Sequence, residues 1–192
     1  MKKILIIDAN PSEKSLCRVF SDTYYESAKN AGFDVKKLSL RDLNFELNLK
    51  NGYHQIQELE PDLEKSQALI KWCEHLVLIY PMWWGSMPAL LKGFLDRCWL
   101  PGFAFKYHEK DPFWDKLLIG RSARMIVTSD APYIYNLFAY FNAPYSVTRK
   151  TILQFCGFNP VKLTAIGRVK SLTDIEIKKS IQKVATLGVK GI

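Results

Sequence analysis

The chain has 192 residues, 48% of them hydrophobic and 24% charged, with a formal net charge of +8, an ordinary globular composition that argues against disorder and coiled coil. Its four cysteines, Cys17, Cys73, Cys98 and Cys156, are too far apart for a disulfide framework or a zinc motif, and no apolar run exceeds a strand's length, so no membrane insertion is expected. The basic residues form no stripe, which favours a phosphate-bearing small ligand over nucleic acid, and the start Met1-Lys2-Lys3-Ile4 is cut by Asp8 and Asn10 with no cleavage site, which reads as a cytoplasmic protein.

Lys3 to Asp8 is apolar without alternation and predicts a buried parallel strand. A helix follows from about Ser15 to Ala31, with Leu16, Val19, Phe20 and Ala28 inward and Gly32 as its stop. Phe33 to Leu38 is a second strand. Residues 41 to 60 show no period and read as an irregular excursion. Pro61 opens a helix reaching about Cys73, and His75 to Tyr80 is a third strand. Ala89 to Trp99 reads as helix, Pro101 to Pro112 as an insertion with a small hairpin, and Ser122 to Thr128 as a fourth strand. An aromatic, loop-like segment reaches Pro144. A helix then spans Ser146 to Cys156, a fifth strand Val161 to Ile166, and a last amphipathic helix Thr173 to Leu187. Strands alternating with helices imply one α/β domain over residues 1–192. It is a doubly wound five-stranded parallel sheet in the flavodoxin-like order 2-1-3-4-5, with helices on both faces. A ligand crevice is expected between the loops after Asp8 and Tyr80, flanked by the loop after Thr128.

The first loop, Asn10-Pro11-Ser12-Glu13-Lys14-Ser15, enters a helix N-terminus, where free N–H groups favour an anion; its serines are equally good helix caps. The second, Tyr80-Pro81-Met82-Trp83-Trp84-Gly85-Ser86-Met87-Pro88, carries two tryptophans that would wall a flat aromatic ligand, or else pack beneath the following helix. His75 reads as structural and His54 and His108 as surface residues. No metal site is expected.

The stretch Tyr80-Pro81-Met82-Trp83-Trp84-Gly85-Ser86-Met87-Pro88-Ala89-Leu90-Leu91-Lys92-Gly93-Phe94-Leu95-Asp96-Arg97 closely resembles the signature of the NAD(P)H:quinone oxidoreductase family of flavodoxin-like flavoproteins. Pro101-Gly102-Phe103-Ala104-Phe105-Lys106-Tyr107 and Leu153-Gln154-Phe155-Cys156-Gly157-Phe158 resemble it too. The resemblance implies FMN, with FAD as the alternative, and NAD(P)H as co-substrate passing hydride to a quinone-type acceptor in ping-pong order. It implies that Asn10 lies beside the flavin tail, that Ser12, Ser15, Leu16 and Cys17 hold the phosphate and ribityl chain, and that Pro81, Met82, Trp83, Trp84 and Gly85 follow the ring edge. Thr128, Ser129 and Asp130 replace part of a Thr-Thr-Gly-Gly loop. Asp130 there either faces the ring or caps the next helix. Tyr135 is the candidate catalytic tyrosine, and no histidine follows it, since Phe138 occupies that place. Phe105 and Tyr107 match aromatics over the substrate pocket, of the neighbouring subunit in an expected homodimer. Two other activities stay open under the same resemblance: nitro-, azo- or flavin reduction, and a flavin-binding ancillary subunit of a potassium-efflux system.

Overall fold

The computed structural model describes residues 1–192. Its elements in chain order are β1 (Lys3–Asp8), α1 (Leu16–Asn30), β2 (Asp34–Ser39), α2 (Pro61–Trp72), β3 (His75–Pro81), α3 (Ala89–Cys98), the hairpin strands β4 (Phe105–Tyr107) and β5 (Trp114–Lys116), β6 (Ser122–Thr128), α4 (Tyr133–Tyr140), α5 (Ala143–Ser146), β7 (Val161–Ile166) and α6 (Asp174–Lys190). The five long strands form one parallel sheet in the order β2-β1-β3-β6-β7. Counted along the sheet strands alone, this is the expected 2-1-3-4-5. β4 and β5 pair antiparallel outside it, so the hairpin exists but reaches Lys116, beyond the expected Pro112.

The central strands are buried on both sides, as parallel strands under helices must be. Residues alternate between two unequal cores. The larger, of 28 residues, holds Leu5, Ile7, Leu76, Leu78 and Tyr80. The smaller, of 11, holds Ile4, Ile6, Val77, Ile79 and Ile126 beneath Phe20 and Tyr24 of α1 and Val184 of α6. Within α1, Phe20 and Ala28 face inward as expected and Cys17 and Tyr24 join them. Val19 does not, and is exposed. An α-helical period of 3.6 places Cys17, Phe20, Tyr24 and Ala28 on one stripe and turns Val19 off it. No helix is long and apolar enough to cross a membrane.

Two segments differ from the expected elements. Residues 133–140 are helical, not loop-like. Their apolar side chains, Ile134, Leu137 and Phe138, are exposed, and the buried member is Asn136. A helix that shows its apolar side to solvent has no inward apolar stripe to betray it. The next helix begins at Ala143 and widens into a π-helical stretch over Val147–Gln154. The Tyr80 hydroxyl donates to Thr148 Oγ1 inside it at 2.9 Å.

His75, at the start of β3, is buried and shares a hydrogen bond with Ser122 Oγ at 2.8 Å, while its Nε2 has no partner. Burial, aided by the positive charges of Lys2, Arg124 and Lys162, pushes its pKa down to about 3 from 6.5. The unfolded chain therefore binds a proton that the folded one refuses between these values, and stability is lost as pH falls from 6.5 toward 3. The expected slope is about 1.4 kcal/mol per pH unit for one proton. His75→Asn should flatten that slope in urea titrations at pH 4 to 6.5; identical slopes would show that another group is responsible.

Candidate functional site

The loops after β1, β3 and β6 converge at one end of the sheet, where β1 and β3 are neighbours whose connections leave in opposite directions. Asn10, Ser15, Leu16, Cys17, Pro81 and Thr128 line a small lobe of about 190 Å³ there. Met82, Ser129 and Asp130 line it too and are shared with a larger lobe of about 600 Å³, which is walled by Trp84, Tyr135, Asn136 and Tyr140. The shared residues make the two lobes one groove, of the size class that holds small ligands.

Ser15 caps α1, accepting from the Arg18 amide at 3.2 Å. The Leu16 and Cys17 amides, in the first helical turn, have no intrahelical acceptor, and no acidic side chain stands in that turn. This end of the groove is therefore suited to an anion. The Ser15 hydroxyl proton stays available, because the cap uses only its oxygen. Burial pushes the Cys17 thiol up to about 11, so it is a neutral wall residue, 3.4 Å from Thr128 Oγ1. Asn10 Oδ1 accepts from the Ser12 amide at 2.9 Å, and Ser12 itself is exposed outside the lobe. Beneath the loop, buried Asp8 pairs with Arg41 at 2.9 Å, and the same guanidinium nitrogen donates to the Asn10 carbonyl at 3.1 Å.

Trp83 and Ser86 exchange backbone hydrogen bonds of 2.9 Å, closing a two-residue turn with Trp84 at φ 51° and Gly85 at φ 67°. This turn requires positive φ at both central positions. Glycine meets that freely, and tryptophan does so at a cost of about 1–2 kcal/mol. Trp84 is also fully exposed, at 104% of its reference area, and Trp83 is about half exposed. Neither ring packs beneath α3. The Trp84 ring adds nothing to stability, and Trp84→Gly should stabilise the protein by about 1 kcal/mol in urea unfolding. Lower stability would show that the ring packs on the chain.

Asp130 neither caps α4, whose N-cap is Pro132 without a side-chain bond, nor stands alone: it pairs with Lys170 at 2.7 Å. Ser129 Oγ donates to the Ala131 carbonyl at 2.8 Å and holds the loop's shape. Tyr135 lines the larger lobe, ring edge to face with Tyr140 at 5.6 Å, and the Tyr140 hydroxyl raises its pKa. Phe105 and Tyr107 line neither lobe. Phe105 is buried against Phe155, and Tyr107 is exposed on the hairpin. Phe138 also lies outside, exposed. His54 is exposed, and His108 is held by Asp111 and Asp115, which raise its pKa. No cluster of three or more His, Cys, Asp or Glu side chains could hold a metal ion. The groove adds Asn136, Tyr140, Ala143, Pro144, Val147 and Val169, none of them expected. Asn136, buried and donating to the Tyr145 hydroxyl at 3.3 Å, was hidden by reading residues 133–140 as loop.

Residues 2–187 match the family described as Flavodoxin-like fold. The chain belongs to this flavodoxin-like family. Among relatives, an FMN-dependent NADH:quinone oxidoreductase of Clostridium perfringens is 25% identical over 206 residues, covering 99% of this chain and all of that one. An Escherichia coli protein named as an uncharacterized NAD(P)H oxidoreductase is 29% identical over 120 residues, 58% of this chain and 60% of that protein. A Streptococcus mutans protein of solved crystal structure superposes with a TM-score of 0.80 at 30% identity, covering 98% of this chain and 99% of that one. The flavodoxin-like chain thus shares its fold over nearly its whole length with a solved structure.

Proposed function

We propose that this chain is an FMN-dependent oxidoreductase that takes hydride from NAD(P)H and delivers it to a quinone-type acceptor. The observation that carries the reading is the continuous groove joining a carboxylate-free helix N-terminus to an aromatic-walled lobe. The full-length likeness to a relative named FMN-dependent NADH:quinone oxidoreductase supports the activity and favours FMN over FAD. The residues fit the group. Ser15 and the Leu16 and Cys17 amides would hold a phosphate, with Asn10, Pro81, Met82 and Thr128 along the small lobe and Trp83, Trp84 and Gly85 at the ring edge. Asp130, which would repel a negatively charged ring if unpaired, has Lys170 beside it.

When bound, FMN supplies a two-electron carrier between donor and acceptor. The protein supplies position and exclusion of water. The two substrates occupy the larger lobe in turn, against Trp84, Tyr135 and Tyr140. Tyr135 offers a neutral phenol there, a hydrogen-bond donor at every physiological pH. A homodimer completes the site in this reading: Ile134, Phe138 and Phe141 expose apolar surface beside the lobe, and Tyr107, which is exposed and lines neither lobe of its own groove, covers the partner's.

FMN titration followed by flavin fluorescence tests the proposal. The expected results are stoichiometric quenching, bleaching of the bound flavin by NADH or NADPH without oxygen, and recovery of colour on adding a benzoquinone. A protein that takes up no FMN at millimolar concentration overturns the reading.

A further inference from the structure

A groove beside β7, at the outer edge of the sheet, gathers four cations and no carboxylate. Arg124, Arg149, Lys162 and Lys183 line, together with Tyr133 and Thr164, a groove of about 530 Å³, and no acidic residue is among its walls. None of the four takes part in any ion pair of the chain, although twelve such pairs form elsewhere. Arg124 is the anomaly. It is 6% exposed. Its Nη1 donates to Thr164 Oγ1 at 2.8 Å, and its buried Nε has no acceptor. Burying a guanidinium without a counter-charge is costly. The surroundings add to the cost, since the same positive field, reaching from Arg124, Lys162 and Lys2, helps to depress the pKa of buried His75.

We propose that this groove is a second anion site, taking the phosphate group of a small phosphorylated ligand on Arg124, with Lys162 and Lys183 at the rim. A guanidinium with one arm fixed by Thr164 and its Nε without an acceptor keeps donors to spare, and phosphate is the acceptor such a fork favours. Four uncompensated cations match a multiply charged phosphate better than a single carboxylate. The anchor is recessed and the cations gather round one strand, a shape for a small ligand and not for the long backbone of a nucleic acid. The site is separate from the strand-end groove: Arg124 lies four residues before Thr128 on β6, about 13 Å along the strand. The inference does not rest on the proposed oxidoreductase activity.

Pyrophosphate is the probe, titrated by calorimetry into the flavin-free protein. The open strand-end groove takes the probe as well, so two sites are expected in the wild type and one, of unchanged affinity, in Ser15→Asp, which closes the strand-end anion position. In that background the double change Lys162→Glu/Lys183→Glu, which alters only exposed side chains, should lower the affinity at least tenfold. Arg124→Met, in the same background, should lose binding as well. In phosphate-free buffer it should melt no lower than its Ser15→Asp parent, and it should no longer gain Tm from pyrophosphate. Two results overturn the site: no binding by the wild type at millimolar pyrophosphate, or equal affinity in Ser15→Asp and both variants built on it. Binding that Ser15→Asp abolishes also overturns it, because the anion would then sit in the strand-end groove. Adenosine diphosphate separates the sources of the phosphate. Tighter binding than pyrophosphate, lost with Tyr133→Ala, supports a phosphate ester that carries an aromatic base; equal binding supports inorganic phosphate at the same site.

Discussion

Ser15→Asp is expected to weaken FMN binding by on the order of 100-fold or more and to leave the fold as stable as before. Aspartate caps a helix as well as serine and favours the positive end of the helix dipole, so α1 keeps its start. What changes is the charge at the place where Ser15 and the free Leu16 and Cys17 amides meet the small lobe. Two like charges about 4 Å apart at an effective dielectric of 20 repel by about 4 kcal/mol, and about 2.7 kcal/mol already corresponds to 100-fold in affinity. The substitution therefore separates capping from binding, which replacement by alanine would confuse. Fluorescence titration beside a thermal melt decides it: unchanged FMN affinity would place the phosphate away from the α1 N-terminus.

Arg41→Ala should be among the most damaging single changes. Asp8 is fully buried at the end of β1, and Arg41, only 9% exposed at its side chain, is its counter-ion. Removing one partner of a buried pair leaves a desolvated charge and costs about 3–5 kcal/mol, a fall in Tm on the order of 10 °C for a chain of this size. The Asn10 carbonyl loses a donor in the same step, so the loop beside the small lobe should loosen. The double change Asp8→Asn/Arg41→Met should recover most of the stability, because neither product is charged. A melt of Arg41→Ala within about 2 °C of the wild type would show that Asp8 is satisfied by other means.

The sheet was legible because its signal is local. Unbroken apolar runs such as Ile4 to Ile7 and Leu76 to Ile79 occur only where both faces are covered, and β1, β6 and β7 begin and end at the expected residues. The place of the groove followed from strand order, since β1 and β3 lie side by side. What failed to show was everything that depends on tertiary partners. The Arg41 anchor of Asp8 lies 33 positions away, in a segment without period. Arg97, in the signature stretch, is fully buried and binds Glu60 at 2.6 Å and the Glu46 and Glu58 carbonyls. It pins the 41–60 excursion down, yet it reads in sequence as one more helix cation. α4 was missed because its apolar side chains face outward and it ends on Phe141 and Asn142 in the left-handed region instead of on glycine. Its contribution to the larger lobe was missed with it. Of the two readings of the tryptophan pair, packing beneath α3 is the one that fails for Trp84, because the turn's positive φ carries its ring out to the tip.

The smaller core has a bearing on how the chain is made. Its lid is shared between α1, near the start, and α6, which packs on α1 through Gly188 close to the Tyr24 carbonyl. The Lys2 ammonium donates to the Gly191 carbonyl across 189 positions. A nascent chain on the ribosome can therefore form β1, α1 and β3 and still leave one side of Phe20, Tyr24 and Val77 uncovered until α6 has been synthesised. Such long-range closure slows folding and prolongs the exposure of apolar surface, so the smaller core stays uncovered on one side for as long as α6 has yet to emerge.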